Sequence, residues 1–523
     1  MGNKFRFLAL YLTDGYKLGH KAMLQPGTTR LYGTWIPRSF KHAPKGIDKI
    51  LSIGHQLTWK FIRDTFQEDF FERPIEEVEA FIQDMNVYLG LPYNGDHFKE
   101  LHKLGYLPIL VQALPEGIET PNNIPHMTFI NTVDGFAWLT LFLETLISSL
   151  SWKVPTNATI SLQFRRMVSE WVERTDKENA GLVDFLCHDF SARGLDPWTM
   201  MVSGLAHGSV FRGSESMAAM PAIRYYYNTD NQPFATVPAS EHSCSCVKIF
   251  SVGEKQMISD WLKTFNVGIL SLVSDTFDLW KLLTEYLPEL KEEIMNRDGK
   301  LVIRPDSGDP VDILCGYEYE FNYHSKDDTK PTVVVKGSKG QVKILNYDEY
   351  EEFKNTPEAK GVIEILWDVF GGTVNTQGYK LLDSHVGTIY GDSINLERQK
   401  SIYERLERKG FAVTNVILGI GSYTYQYSTR DSFGFAAKGA WFECDEKEYS
   451  IYKDPITDDG TKKSLKGFQF VFEDENGVIH VESEVSEEKA YSDENMLRPI
   501  FKDGEMLNEI TFETLRERIT DIV

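Results

Sequence analysis

Cysteine is scarce, with five residues among 523, and only Cys244 and Cys246 lie close together in sequence. A single C-x-C pair lacks the second half of a zinc-site spacing, so the expectation is reduced thiols in a cytoplasmic protein. Positive charge is short as well. The 55 Lys and Arg residues face 77 Asp and Glu, a net charge of −22, which opposes nonspecific binding to nucleic acid or an anionic membrane. Any phosphate site must then be a local cationic pocket. Long apolar runs are also missing: residues 136–150, FAWLTLFLETLISSL, come nearest, but they are too short to span a bilayer, carry Glu144, and read as a buried helix. The N-terminal apolar run stops at Asp14 without the small-residue cleavage pattern of a signal peptide. No fixed-period repeat, heptad run or low-complexity block is present.

What is there is material for an extensive core, 42% hydrophobic and 13% aromatic, in a chain whose length suggests two or three domains. The middle has a rhythm in which short apolar runs end in polar clusters. GILSLV runs into Ser274-Asp275, KLVI into Arg304-Pro305-Asp306-Ser307-Gly308, VGTIY into Gly391-Asp392-Ser393, and VILGIG into Ser422-Tyr423. Residues 276–297 and 394–410 have the amphipathic spacing of helices between them. Buried strands alternating with helices imply a parallel sheet, and reactive residues at several strand ends imply a barrel with its site on the carboxyl face. An open doubly wound sheet is the alternative, but Gly419-x-Gly421 has no third glycine and opens no clear helix. The predicted fold is an irregular TIM-like α/β barrel over 180–439, with a second α+β domain built from 1–179 and 440–523. Residues 317–378 are more polar and read as an insertion. In 464–500 the alternation of FQFVFEDENGVIHVESE predicts a hairpin turning at Asn476-Gly477.

Five clusters carry candidate chemistry: His188 to Gly194 (HDFSARG), Phe211 to Ser216 (FRGSES), Pro238 to Ser243 (PASEHS), Asp275 with Arg304 and Asp306, and Gly391-Asp392 with Arg430 and Lys438. Each has an ordinary structural explanation alone: Asp275 as a helix cap, Arg304 paired with Asp306, Gly391-Asp392 as a turn. Together at successive strand ends they imply a pocket of carboxylates and guanidinium groups, suited to a polyanionic, metal-chelating sugar phosphate.

These motifs, HDFSARG, FRGSES, VPASEHS, VSDTFD, IRPDSGDP, YGDSIN and STRD in that order, with TDGYKLGH and YKDP, resemble nicotinamide phosphoribosyltransferases of the type II fold. The resemblance covers most of the chain outside 317–378; a related nicotinate enzyme shares the architecture. It implies a homodimer that takes nicotinamide, phosphoribosyl pyrophosphate and ATP. Phe190 would stack on one face of the pyridine ring and Tyr16 of the neighbouring subunit on the other, an arrangement suited to a flat neutral ring. Arg304 would bond the carboxamide oxygen, and Glu215 would accept from the amide NH₂ or turn away to pair with Arg304 or Arg212. Arg193, Arg430 and Lys438, with Arg38 of the neighbouring subunit and the turns at Gly391 and Gly421, would hold phosphate and pyrophosphate. Asp275, Asp306 and Asp392 would surround the ribose and stabilise oxocarbenium charge, with Mg²⁺ near Asp275 and Asp306, completed by substrate oxygens. His242 would take a phosphoryl group from ATP.

The chain also departs from the pattern. Gly213-Ser214-Glu215-Ser216 stands where Gly-Thr-Asp-Thr is usual, Ala192 where an aromatic is common, Ser422-Tyr423 in a stretch richer in glycine, and Ala436 in place of a phosphate-binding serine. The alternatives are a nicotinate phosphoribosyltransferase and a catalytically silent nucleotide-binding homologue. Asp458-Asp459-Gly460-Thr461 reads as a surface turn, not a type I phosphoribosyltransferase loop, and Phe370-Gly371-Gly372-Thr373 as a turn, not a P-loop.

Overall fold

A computed structural model describes residues 6–323, 329–453, 457 and 464–523; Asp458-Asp459-Gly460-Thr461 lies outside them. The chain divides into two compact units, one comprising residues up to 160, 221–231 and 428–522, the other 161–220 and 232–427. The division falls within the helix Lys153–Thr175, where no change of composition marks it, whereas the sequence expectation put it at 179/180.

The second unit holds the parallel sheet. Its strands lie in the order Gly213–Ser214, Cys187–Phe190, Val416–Gly421, Val386–Tyr390, Asp298–Arg304 and Val267–Val273, all paired in parallel. Residues 235–239 join the two ends of that row, bridging Gly213 to Ala235 and Ala239 to Ser271, both in parallel. The row thus closes into a seven-membered ring, the α/β barrel expected. Its apolar runs are strands because both faces are covered: Leu272, Leu301, Ile303 and Val386 pack with Leu282, Leu287 and Leu366 of the surrounding helices.

The segments between the strands follow the expectations except in the polar excursion. Residues 276–297 are helical as expected, in a continuous run over 279–289 whose middle, Leu282–Tyr286, is a π turn ahead of Pro288, and again over Lys291–Met295 after a break at Leu290. The polar excursion splits: Glu318–Asn322, Thr332–Lys336 and Val342–Leu345 form a separate antiparallel sheet, but the helix Val362–Phe370 buries Val362, Ile365, Leu366 and Phe370 in the barrel core. The HDFS motif is itself part of a strand, Cys187–Phe190, and follows the helical residues Lys177–Phe185.

The first unit is built on a seven-stranded antiparallel sheet whose centre is Ala436–Cys444, Thr28–Ile36, Met127–Asn131 and Ile109–Ala113. The apolar run 136–150 lies against it as two helices, Ala137–Phe142 and Glu144–Ser151, rather than one, and the junction places Glu144 at a helix start where its charge is favoured. The C-terminal hairpin pairs Phe468–Glu473 with Ile479–Val485. It turns at Asn476-Gly477 as expected, within residues 474–478, where Asp474 Oδ1 accepts from the amides of Asn476 and Val478 at 2.9 Å each and Gly477 takes the left-handed backbone, φ 75°. Among the described residues no helix is long and apolar enough to cross a membrane.

Candidate active site

The carboxyl end of the ring gathers most of the predicted residues. Phe190 ends and Arg193 follows the strand Cys187–Phe190, Glu215 follows Gly213–Ser214, and His242 follows 235–239. Asp275 follows Val267–Val273, Arg304 and Asp306 end or follow Asp298–Arg304, Gly391 and Asp392 follow Val386–Tyr390, and Gly421 ends Val416–Gly421. Parallel strands put every such end on one face, which is why residues 231 positions apart in sequence, counted from Phe190 to Gly421, can stand opposite each other in register.

At its centre stand an imidazole and two carboxylates. His242 Nε2 lies 3.8 Å from Asp275 Oδ1 and 3.8 Å from Asp306 Oδ2, and its Nδ1 is 3.2 Å from Thr276 Oγ1. Asp275 Oδ2 accepts from the Asp306 amide at 3.0 Å and from the Ser307 hydroxyl, but Oδ1 is buried with no hydrogen-bond partner among the described residues. Burial raises the Asp306 carboxyl above its ordinary range; Asp275 and Asp392 add to the rise against the opposing pull of Arg304 and His242. Crowded carboxylates with an unsatisfied oxygen are costly and would be relieved by positive charge. Asp392 is held by the Ser393 hydroxyl at 3.1 Å, and Ser393 itself has a left-handed backbone, φ 52°, a conformation unusual outside glycine and concentrated at functional sites. Arg304 donates to the Ser240 carbonyl at 2.6 Å.

Phe190 lies over two glycines. A Cβ at Gly391 would come within 2.7 Å of its ring and one at Gly419 within 2.3 Å, so these glycines make the room the ring occupies. Gly421 is different, since a Cβ there would meet only the Gly391 carbonyl at 3.8 Å. Glu215 pairs with neither Arg304 nor Arg212; Arg212 is bonded to Asp184 at 2.8 Å. Its Oε1 lies 3.1 Å from His188 Nε2 and accepts from Thr236. Burial pushes the Glu215 carboxyl up, but the His188 and Thr236 hydrogen bonds, with the electrostatic pull of His188 and Arg304, outweigh it and hold the group below its ordinary range.

Tyr16, Arg38, Arg430 and Lys438 belong to the first unit. There the buried Lys17 contacts Glu144 at 2.5 Å, and Glu144 lies 3.9 Å from Lys438. Burial lowers the Lys438 ammonium, and Arg38, Lys453 and Lys17 lower it further while Glu144 opposes them. Lys17, Arg38, Lys438 and Lys453 thus outnumber Glu144 here, a local excess of positive charge within an acidic protein, as an anion site requires. Tyr16 is 63% exposed, and with Arg430, Asp14 and Glu144 it lines a shallow cleft.

A family model described as "Nicotinate phosphoribosyltransferase (NAPRTase) family" matches residues 185–504. A nicotinamide phosphoribosyltransferase of Acinetobacter baylyi is 35% identical, with 98% of this chain and 97% of that protein covered. The chain belongs to the nicotinate phosphoribosyltransferase family. A nicotinamide phosphoribosyltransferase of Xanthomonas campestris pv. campestris is 28% identical over 96% of each chain. Among solved structures, nicotinate-nucleotide pyrophosphorylase from Pyrococcus furiosus covers 100% of this chain and 98% of its own at TM-score 0.54 and 14% identity. Human nicotinic acid phosphoribosyltransferase covers 98% and 93% at TM-score 0.52 and 14% identity. At that identity these two support the fold alone.

Within this family fold, several residues to which sequence reasoning assigned no role hold the site in place. Asp189, fully buried, accepts from the Ser191 amide at 2.9 Å and from the Ser214 and Ser216 hydroxyls at 3.1 and 2.5 Å. It anchors the serines that replace the usual threonines. Ser422 fills the space beside the Arg193 turn, its Oγ 2.1 Å from where a Cβ on Gly194 would lie. Lys17 lies inside the motif TDGYKLGH but was given no role of its own, Thr236 carried no motif signal, and Glu144, an acid alone in an apolar run, was a visible one.

Proposed function

We propose that the chain is a nicotinamide phosphoribosyltransferase of NAD salvage, joining nicotinamide to 5-phosphoribosyl pyrophosphate to give nicotinamide mononucleotide and pyrophosphate. The observation that carries this reading is the Asp275–Asp306–His242 cluster beside a Phe190 ring seated on glycines, in a chain 35% identical to a protein of that name over 98% of its length.

The pyridine ring stacks on Phe190, and Tyr16 from a second copy covers its other face in a homodimer. Arg304 donates to the carboxamide oxygen and Glu215 accepts from its NH₂. As the C1–O bond to pyrophosphate breaks, positive charge grows on the ribose, and Asp275, Asp306 and Asp392 stabilise it while the ring nitrogen forms the new bond to C1. No protein nucleophile is involved. Arg193, Arg430, Lys438 and Arg38 take up the charge on the departing pyrophosphate. The orphaned Asp275 oxygen and the crowded Asp306 suit a divalent cation, although among the described residues no three His, Cys, Asp or Glu side chains converge on a metal position. Mg²⁺ held there together with substrate oxygens would neutralise negative charge on both sides. His242, at the start of the helix His242–Val252, accepts a phosphoryl group from ATP, and the amide-rich helix start favours the added charge. The reducing cytoplasm is the compartment that suits five cysteines outside any disulfide.

The direct test is product formation. Purified protein given nicotinamide, phosphoribosyl pyrophosphate and Mg²⁺ should release nicotinamide mononucleotide, and yield no higher than a protein-free control refutes the reading. Label from γ-labelled ATP should appear as an acid-labile, base-stable adduct that His242→Ala abolishes. Mixing Tyr16→Ala with Asp306→Ala chains should restore activity through hybrid dimers if the sites are shared.

A further inference from the structure

Glu215 follows the shortest strand of the ring, Gly213–Ser214, and is tied to the strand on either side. From one flank comes His188, on Cys187–Phe190, with Nε2 3.1 Å from Oε1; from the other comes Thr236, in the closing segment 235–239, whose hydroxyl donates to the same oxygen. The Glu215 amide is itself fixed, donating to the Asp189 carbonyl at 3.0 Å. Both side-chain donors land on Oε1. Among the described residues Oε2 has no hydrogen-bond partner, and the side chain stays 40% exposed.

We infer that His188 and Thr236 are positioning residues that pin Oε1 and so present Oε2 as a single acceptor for the ring substituent, making a side chain one methylene longer than the usual aspartate selective for a neutral amide over a carboxylate. The inference rests on the transferase reading of this site and deepens it. A free glutamate has three rotatable side-chain bonds and could swing its charge out of the pocket; two donors from opposite flanks remove that freedom, as preorganised recognition requires. An oxygen accepting two protons is largely occupied, so the second oxygen takes the ligand. An amide NH₂ satisfies it, whereas a nicotinate carboxylate brings a second negative charge and no donor. The free side of Glu215 is therefore the specificity element, and Thr236 is the residue that keeps it facing one way.

The test is equilibrium binding of nicotinamide and of nicotinate, by calorimetry, to the wild type, Thr236→Val and Thr236→Ser. Thr236→Val keeps the shape and removes the donor, and should cut the nicotinamide-over-nicotinate preference about tenfold, the worth of one charge-assisted hydrogen bond. Thr236→Ser restores the hydroxyl and should restore the preference, with all three proteins melting together. Steady-state rates should place the loss in the KM for nicotinamide, with kcat little changed. An equal preference in all three proteins, a loss in Thr236→Ser as large as in Thr236→Val, or no nicotinamide binding by the wild type overturns the inference. Product formation by the same wild-type protein distinguishes the two readings: turnover with an unmoved preference refutes the pinning of Glu215 and leaves the transferase standing.

Discussion

Two groups of carboxylates behave in opposite ways. In the first unit Glu116, 6% exposed, accepts from the amides of Gly54 at 2.9 Å and Gln56 at 2.7 Å and from the Tyr227 hydroxyl at 2.6 Å. At the carboxyl end of the ring Asp275 leaves one oxygen buried and unpartnered, and Asp306 is crowded by two other acids. The satisfied group is doing what a buried polar residue does for a fold. The unsatisfied group has a cost that folding alone does not explain, and such strain collects where a ligand completes the site. The same distinction separates Asp189, with three donors, from Asp275, although both lie at strand ends in the second unit.

The largest expected effect on this contrast is at Asp275. Asp275→Asn keeps the shape and the bonds from Asp306 and Ser307 but removes the charge, and should lower kcat by about 100- to 1000-fold, roughly 3–4 kcal/mol of transition-state stabilisation, with little change in melting temperature. Glu116→Ala should do the reverse. Three donors lose their acceptor, so chemical denaturation should show a loss of about 3 kcal/mol, while the rate per folded molecule changes less than tenfold. If Glu116→Ala proves as stable as the wild type, the distinction between satisfied and unsatisfied acids fails.

A smaller effect sharpens the comparison by pH. His55, His126 and His97 of the first unit are buried and held below their ordinary range chiefly by burial, His97 to about 3. The unfolded chain binds protons on these groups near pH 6.5 and the folded chain does not, so their stabilising contribution is present above that value and is lost as pH falls through it. Between pH 7.5 and 5.5 each should remove about 1 kcal/mol from the unfolding free energy. Denaturant titrations at the two pH values check this, and a first unit equally stable at both contradicts it.

Much of the ring was legible because a parallel strand covered on both faces must be a short continuous apolar run, and each such run ended in polar residues that could not continue it. GILSLV, KLVI, VGTIY and VILGIG all became strands, and the candidate residues after them came to one face. The closing segment was not legible: residues 235–239 contain Pro238 and make only two bridges, too little for a periodic signal. The hidden part of the site is long-range. Lys17 meets Glu144 across 127 residues, and Thr236 meets Glu215 from a neighbouring strand; no spacing rule anticipates such pairs. Residues 276–297 had helical periodicity and are helical over 279–289 and 291–295, but the π turn Leu282–Tyr286 ahead of Pro288 and the break at Leu290 left no trace in that periodicity.

The most direct measurement is the rate of nicotinamide mononucleotide formation by Asp306→Asn beside the wild type, with the melting temperature of each taken at neutral pH and near pH 3. Because the Asp306 carboxyl is raised in the folded protein, its charge costs stability once pH exceeds the ordinary carboxylate value, and the cost is fully present above the folded value. The variant should then melt at or above the wild type at neutral pH, lose that advantage near pH 3, and form product at least about 100-fold more slowly. A variant that melts lower at neutral pH and still turns over at the wild-type rate would make Asp306 a structural residue and contradict the placement of the active site at this end of the ring.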